Sequence, residues 1–214
     1  MILLFDTETT GLPDWRKPAA DASQPAITQL AMILCTDEGR EVASASMLVQ
    51  PMGKQIQAEA AAITGITQDL AETCGTYPGA ALYLWDRWMQ MAHTIVAHNV
   101  KFDRLIIEAS WATHSPLRNS KVPKLCDRLL VDGERKWFCT MDAASPLVNL
   151  PPTARMVAAG FNKPKPPKLS EAIKFFFDED LEGAHDALVD VRACARIFFH
   201  LRALEAAKLL ETAA

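Results

Sequence analysis

The sequence predicts an α/β fold in which a mixed sheet is covered by helices. Three short apolar segments come first, over residues 1–6, 26–36 and 41–50, and a turn at residues 37–39 joins the last two. Short links between consecutive strands favour an antiparallel meander. After residue 78, helical and strand patterns alternate, which favours parallel strands added to that meander and helices packed on the faces of the sheet.

The later elements follow from local patterns of apolar residues. They are a helix over 79–92, a strand over 94–98, a helix over 101–113, a strand over 136–140, a helix over 169–177 and a last helix from about residue 186. Residues 115–136 are predicted to be partly loop. Residues 151–168 contain five prolines, and those within 164–167 exclude a helix interior there. No repeat or linker divides the chain, so we expect one domain over residues 1–214.

Composition indicates an ordinary soluble protein, with half of its residues hydrophobic and 22% charged. The first apolar run ends at residue 5, which is too short for a signal peptide or a membrane span, so no membrane association is expected. The five cysteines are odd in number and form no Cys-x-x-Cys pair, which argues against a disulfide framework and a zinc site. We therefore expect a cytoplasmic protein.

The charge of the chain is unevenly distributed. A formal net charge of −4 argues against a protein that simply coats nucleic acid, although it does not exclude an enzyme with acidic metal ligands. Residues 116–174 nevertheless carry eleven basic and five acidic side chains. This stretch is either a solvated surface or a phosphate-binding rim, for which the candidates are Lys163, Lys165 and Lys168 in the proline-rich segment.

Two acids close the first strand. Asp6 and Glu8 are separated by Thr7, and the two-residue period of a strand puts both carboxylates on one face, with Thr7 on the other. Adjacent carboxylates repel each other unless a cation lies between them, and hard oxygen ligands suit Mg²⁺ or Mn²⁺. A solvated strand end is the alternative interpretation of this short motif.

A second polar pair follows the strand over 94–98. Asn99 and Asp103 are four residues apart, so they would share one face of the next helix. Taken singly, each residue is better explained by the fold, Asn99 as a helix cap and Asp103 as an acid favoured by the helix dipole.

A third pair lies near the C-terminus. His185 and Asp190 are five residues apart and would not share a face of one continuous helix. They converge if His185 lies in the loop after Gly183 and Asp190 lies in the first turns of the last helix. His98 and Asp103 have the same spacing, but His98 ends an apolar strand, where a buried and hydrogen-bonded histidine is expected. His185 is therefore the preferred candidate for a general base.

Together these motifs resemble those of the DnaQ-like 3′-to-5′ exonucleases of the DEDDh class, which have a ribonuclease H-like fold. The family motif Asp-x-Glu-Thr-x-Gly-Leu is matched from Asp6 to Leu12, Asn-x-x-x-Asp by Asn99 and Asp103, and His-x-x-x-x-Asp by His185 and Asp190. The order and separation of the motifs match over nearly the whole chain.

The resemblance implies two divalent metal ions, Mg²⁺ or Mn²⁺, and a set of ligands for them. Asp6 would bridge both ions, Glu8 and Asp190 would complete one site, and Asp103 would hold the other ion. His185 would take a proton from the attacking water.

The resemblance also implies which residues contact the substrate. They are Thr9, Leu12, Ile63, Ile66 and Asn99, of which Leu12 would wedge against the terminal bases. Asn99 would either position the terminal sugar or cap its helix. Thr64 stands where many relatives have a histidine, which leaves the substrate contacts there open.

The activity implied is hydrolysis of phosphodiester bonds at the 3′ end of nucleic acid, mainly single-stranded DNA, with release of 5′-mononucleotides. An exoribonuclease and a polymerase-associated proofreading subunit would use the same chemistry, and a homodimer or a polymerase partner stays open. A catalytically inactive nucleic-acid-binding module would be supported by loss of a metal ligand, but every ligand residue is present.

Overall fold

The computed structural model describes residues 1–114 and 136–213. Within them, one sheet contains the strands β1 (Ile2–Thr9), β2 (Ile27–Cys35), β3 (Glu41–Leu48), β4 (Thr94–Ala97) and β5 (Lys136–Cys139). Their order is β3-β2-β1-β4-β5. β2 runs antiparallel to β1 and β3, whereas β4 runs parallel to β1 and β5. The predicted fold class is therefore confirmed.

The helices in these residues are α1 (Ala58–Thr64), α2 (Gln68–Cys74), α3 (Pro78–Met91), α4 (Val100–His114), α5 (Thr140–Val148), α6 (Ala154–Ala158), α7 (Leu169–Phe177) and α8 (Ala187–Ala213). The sequence did not predict α1, α2, α5 or α6. α1 and α6 bury no side chain, so they carry no apolar periodicity to detect. Across the described residues, no helix is both long enough and apolar enough to cross a membrane.

Helix α6 lies in the proline-bearing segment over residues 151–168, where no helix was predicted. The side chain of Thr153 accepts a hydrogen bond from the backbone N–H of Met156 at 3.2 Å, which begins this short helix. The prolines at 151 and 152 precede the helix and those at 164, 166 and 167 follow it, so none interrupts it.

The alternating side chains of β1 belong to two different layers of the core. Leu3 and Phe5 pack with Trp85 of α3 and with residues of α4 on one face of the sheet. Ile2 and Leu4 pack on the other face with Val191 and further residues of α8. The same alternation carries Asp6 and Glu8 to the α8 face and Thr7 to the α4 face.

β1 is longer than predicted, because it continues past Asp6 to Thr9. Its polar end stays paired with β2, with Asp6 opposite Ala31 and Glu8 opposite Gln29. The pairing shifts only between Glu8 and Thr9. Both acids are therefore held by the sheet itself rather than by a loop that follows it.

The elements that carry the other motifs meet at the same edge of the sheet. β1, β4 and β5 end there because they are parallel, and α4 begins three residues after β4. The side chain of Gln29 accepts a hydrogen bond from the backbone N–H of Ala187 at 3.3 Å, which fixes the start of α8 beside the end of β1. Ligand sites of α/β sheets lie at such carboxyl ends.

Candidate active site

Residues from three distant parts of the chain converge at this edge. Glu8, His185 and Asp190 each offer a ligand atom, and these atoms all lie within 4.8 Å of one another. Asp6 lies two positions before Glu8 on the same strand face, and the charges of Asp103, Glu8 and Asp190 all act on its carboxyl group. The structure thus brings the four predicted carboxylates and the predicted histidine together.

Asp103 is held in place by Thr7. Its Oδ1 atom accepts hydrogen bonds from the backbone N–H of Thr7 at 3.0 Å and from the Thr7 hydroxyl at 2.8 Å. Asp103 is only 2% exposed. The two-residue period of the strand predicts Thr7 on the opposite face from the acids, but this role of Thr7 was not predicted. The alternation of side chains along β1 could have indicated this contact, because it directs Thr7 towards the helix that carries Asp103.

Burial and mutual repulsion make this cluster poor at holding negative charge. Burial, together with the charges of Asp103, Glu8 and Asp190, raises the pKa of Asp6 well above its ordinary value. Burial and the nearby carboxylates raise the pKa of Glu8 to about 8. Burial raises the pKa of Asp103 to about 7, against the opposing effect of the two Thr7 hydrogen bonds. Without a cation, the cluster keeps protons near neutral pH.

The two carboxylate oxygens of Asp190 differ in their hydrogen bonding among the described residues. Its Oδ2 accepts a hydrogen bond from the backbone N–H of His185 at 3.1 Å. Its Oδ1 is buried and has no hydrogen-bond partner among the described residues. A buried acceptor without a partner is costly. Hard carboxylate oxygens in this arrangement fit a divalent cation of the Mg²⁺ or Mn²⁺ type.

His185 lies in the loop before α8, as the spacing to Asp190 predicted. Its backbone is left-handed, with φ of 72°, and Gly183 two residues earlier has φ of 71°. The left-handed region is uncommon for a residue with a side chain and recurs at functional sites. The imidazole is exposed, so it can reach a water or substrate beside the carboxylates.

His98, in contrast to His185, has both ring nitrogens in contact with groups of the protein itself. Its Nε2 lies 3.0 Å from the carbonyl oxygen of Pro167, and its Nδ1 lies 2.9 Å from the hydroxyl of the buried Thr140. A carbonyl oxygen can only accept, so Nε2 carries a proton and Nδ1 is available to accept from Thr140. Burial lowers the pKa of His98, which favours the neutral ring. His98 is hydrogen-bonded as predicted, but it is half-buried rather than fully buried.

Asn99 differs from its predicted geometry. It lies one residue before α4 with φ of 69°, so it does not share a helix face with Asp103. Instead it lines a cavity of about 390 Å³ whose wall also contains His98, His185 and Asp190. A left-handed residue at this point lets the chain leave β4 and enter the helix without a longer loop.

A second cavity, of about 360 Å³, has Glu8 in its wall. Its lining includes Glu8, Leu12, Ile63 and Phe102. Leu12 is 84% exposed and Ile63 is 56% exposed, so both side chains are accessible at the wall of this cavity. The Thr9 hydroxyl donates a 2.8 Å hydrogen bond to the carbonyl oxygen of Gly11, which stabilises the turn that presents Leu12.

Ile66 and Thr64 are less available to a substrate than Leu12 and Ile63 are, because Ile66 is buried and the Thr64 hydroxyl is hydrogen-bonded within the fold. Ile66 is only 4% exposed and does not line the cavity. Thr64 does line it, but its hydroxyl donates to the carbonyl oxygen of Ala60 at 3.0 Å and accepts from the backbone N–H of Ile66 at 3.1 Å. These two bonds close the end of α1, so the hydroxyl is largely committed to the fold.

The three candidate rim lysines are not equivalent. Lys163 and Lys168 are exposed, whereas Lys165 is half-buried and its Nζ lies 2.6 Å from Oε2 of Glu171. Lys165 is therefore less exposed than expected, because its ammonium group forms an ion pair with Glu171 of α7. Other basic residues of the 116–174 stretch lie outside the described residues, namely Arg118, Lys121, Lys124, Arg128 and Arg135.

The chain is similar to one protein family in sequence and to solved structures in fold. The RNase_T model, described as exonuclease, matches residues 3–198. No curated protein is similar enough in sequence to count as a match.

Solved structures with the same fold include Escherichia coli exonuclease I in complex with a dA16 oligonucleotide, at 22% identity and a TM-score of 0.63, covering 92% of this chain and 40% of that one. The zinc-bound form of the E. coli exonuclease I complex with single-stranded DNA is 21% identical, with a TM-score of 0.63 and coverage of 92% and 39%. A moderately thermophilic exonuclease I from Methylocaldum szegediense is 20% identical, with a TM-score of 0.63 and coverage of 94% and 40%.

The present chain thus spans about 40% of the length of those exonucleases, and at these identities the likeness establishes the fold. The family model, by contrast, covers almost the whole sequence. The chain therefore belongs to the RNase_T exonuclease family, the DnaQ-like branch of the ribonuclease H-like superfamily that its motifs predicted.

Proposed function

We propose that this protein is a metal-dependent 3′-to-5′ exonuclease that acts on single-stranded nucleic acid, with DNA as the main substrate, and releases 5′-mononucleotides. The observation that carries the proposal is the convergence of Glu8, His185 and Asp190 within 4.8 Å, beside Asp6 and Asp103. The E. coli relative is bound to a dA16 oligonucleotide in its crystal structure, which supports single-stranded DNA as the substrate class.

In this proposal Asp6, Glu8, Asp103 and Asp190 hold two divalent ions, Mg²⁺ or Mn²⁺. The raised carboxyl pKa values and the unpartnered Oδ1 of Asp190 support it, because a cation would relieve both. When bound, the ions would supply Lewis-acid stabilisation of the phosphate and acidify the attacking water.

His185 is proposed to take the proton of the attacking water. Its ring is exposed next to the carboxylates, and its backbone N–H bonds directly to Asp190, so loop and ligand are positioned together. General-base catalysis needs such a group within hydrogen-bond reach of the water. His98 is a weaker candidate because contacts within the protein engage both of its ring nitrogens.

The terminal nucleotide is proposed to occupy the cavity beside Glu8. Leu12 and Ile63 would pack against its base, since both are exposed at the wall of that cavity. Thr9 would act by fixing the turn before Leu12, and Ile66 by supporting the wall from within the fold. Asn99 would contact the sugar-phosphate backbone from the neighbouring cavity.

The cellular context stays a prediction from the sequence. The cysteines among the described residues are free, which agrees with a reducing compartment such as the cytoplasm. A homodimer and a polymerase partner remain hypotheses, and the exposed Lys163 and Lys168 are proposed to contact substrate phosphates.

The direct test of activity is digestion of single-stranded DNA labelled at its 5′ end, with Mg²⁺ present. We expect a ladder that shortens from the 3′ end. Asp6→Ala should abolish turnover, and His185→Ala should bind substrate but turn over about 10²- to 10⁴-fold more slowly, as for loss of a general base. Glu205→Gln, which removes an exposed carboxylate of α8, is the control and should match wild type.

Shortening from the 5′ end, or undiminished activity in excess EDTA, would contradict the proposal. The same assay on an RNA of identical sequence separates the substrate classes, because faster digestion of RNA would favour the exoribonuclease alternative.

Thr7 is predicted to control metal affinity through Asp103. Thr7→Val keeps the shape of the side chain and the backbone donor but removes the hydroxyl that donates to Asp103. Loss of such an outer partner should weaken Mn²⁺ binding by about 10- to 100-fold. Thr7→Ser restores the donor and should recover the affinity, so equal Mn²⁺ affinities of Thr7→Val and wild type would refute this role.

The raised carboxyl pKa values predict an unusual dependence of stability on pH. Unfolded carboxyls titrate near ~4, whereas Glu8 in the metal-free protein titrates at about 8, so the folded state binds more protons between these values. The free energy of unfolding of the metal-free protein should therefore fall as pH rises through this range. Added Mg²⁺ replaces the protons, so its stabilising effect should grow with pH.

Thermal unfolding in EDTA and in Mg²⁺, compared at about pH 6 and about pH 8.5, measures this effect. Glu8→Gln should flatten the dependence, and Glu205→Gln should leave it unchanged. A metal-independent Tm that rises over the same interval would show that the cluster is not protonated as described.

A further inference from the structure

The segment between α5 and α7, residues 150–168, forms a closed arm with a fixed base. Leu150 and Lys165 pair as an isolated bridge, in which the Lys165 N–H donates to the Leu150 carbonyl oxygen at 3.0 Å. The ion pair from Lys165 to Glu171 then ties this base to α7. The two ends of the arm are therefore held, and most of the residues between them are exposed.

The tip of the arm presents an aromatic side chain to solvent. Gly160, with φ of 81°, ends α6, and the backbone N–H of Phe161 donates to the carbonyl oxygen of Met156 at 2.8 Å. This is the hydrogen-bond pattern of a glycine-terminated helix. Phe161 is nevertheless 64% exposed. A turn with its own hydrogen bonds thus holds a phenylalanine where it packs against little of the protein.

The arm is basic in an acidic chain. Residues 150–168 contain four basic side chains and no acidic one, whereas the whole chain has a net charge of −4. Lys165 is paired with Glu171, which leaves Arg155, Lys163 and Lys168 exposed. The arm therefore complements a polyanion.

The C-terminal end of the arm reaches the candidate active site. Lys168, at the end of the arm, lines the same cavity as His185 and Asp190. The carbonyl oxygen of the preceding Pro167 accepts from His98, which fixes that end next to β4. A strand whose 3′ end reached the carboxylates could continue past Lys168 towards Lys163 and Phe161.

We propose that this arm is a second binding site for single-stranded nucleic acid, on the 5′ side of the reacting phosphate. A base stacks on Phe161, and Arg155 and Lys163 contact the neighbouring phosphates. The proposal rests on the proposed exonuclease function. Exposed aromatic side chains interleaved with cations are what binding of single strands without sequence preference requires. A protein partner is less suited, because the large apolar side chains exposed on the arm are only Val157 and Phe161.

The test is the dependence of affinity on oligonucleotide length, measured in Ca²⁺ with single-stranded DNA from ~2 to ~16 nucleotides, which spans the known single-strand sites of about 4 to 16 nucleotides. Wild type should gain affinity once the strand is long enough to reach the arm. Phe161→Ala should lose this gain, with about 5- to 100-fold weaker binding of the longest strands, and should bind the shortest like wild type.

Matched variants separate stacking from charge and from loss of folding. Phe161→Trp should retain the long-strand affinity, and Val157→Ala, which removes an exposed apolar side chain of the same arm, should have no effect. Replacing both Arg155 and Lys163 by Gln should reduce the log–log salt slope by about 1.4, at about 0.7 per phosphate contact. Phe161→Ala should leave that slope unchanged.

Two results would overturn the proposal while leaving the exonuclease function intact. One is a Phe161→Ala variant with the length dependence of wild type, which would also be the result if the arm bound a protein instead. The other is a Gln double variant with an unchanged salt slope. Failure of the exonuclease function itself would be recognised separately, as a wild-type protein that shortens no substrate in Mg²⁺.

Discussion

The alternation of side chains along β1 is the constraint on which the rest of the site depends. The strand lies between the α8 layer and the layer of α3 and α4, so its apolar residues must point to both faces in turn. Extending that pattern through its polar end sends Asp6 and Glu8 towards α8 and Thr7 towards α4. One strand thereby supplies two carboxylates directly and positions a third, Asp103, through Thr7.

This arrangement stabilises a site that is unfavourable in isolation. Four carboxylates close together in a largely buried space repel one another, and the fold accommodates them near neutral pH only with protons or cations. The unpartnered oxygen of Asp190 and the left-handed backbone of His185 are further local costs. The surrounding layers are apolar and well buried, so they supply the stability that the site does not. A cation in the cluster would remove most of the electrostatic cost.

Much of this could be predicted because strong periodic patterns mark long and buried elements. The strands, α3, α4, α7 and α8 follow from apolar spacing, and the distance between His185 and Asp190 correctly required a loop before α8. Short helices such as α1 and α6 escaped prediction because they bury no side chain. The polar end of β1 extends beyond its apolar run because β2 supplies the pairing.

The side-chain partners in the site were harder to predict than the elements, since they join distant parts of the sequence. The Thr7 and Asp103 pair is separated by 96 residues, and neither residue alone indicates the other. In the sequence Lys165 is equivalent to Lys163 and Lys168, and only its ion pair with Glu171 distinguishes it. The motif spacing could thus identify which residues carry the chemistry, but not which residues hold them in place.

The central claim, that the carboxylate cluster at the end of β1 holds a pair of divalent ions, is tested most directly by counting Mn²⁺ ions bound per chain. Electron paramagnetic resonance on a titration with Mn²⁺ reports both the number bound and any magnetic coupling between neighbouring ions. The account predicts two ions per chain with a coupled signal in wild type, and loss of the coupling in Asp6→Asn, which removes a charge from the centre of the cluster. No bound Mn²⁺, or two uncoupled ions that Asp6→Asn leaves unchanged, would contradict it.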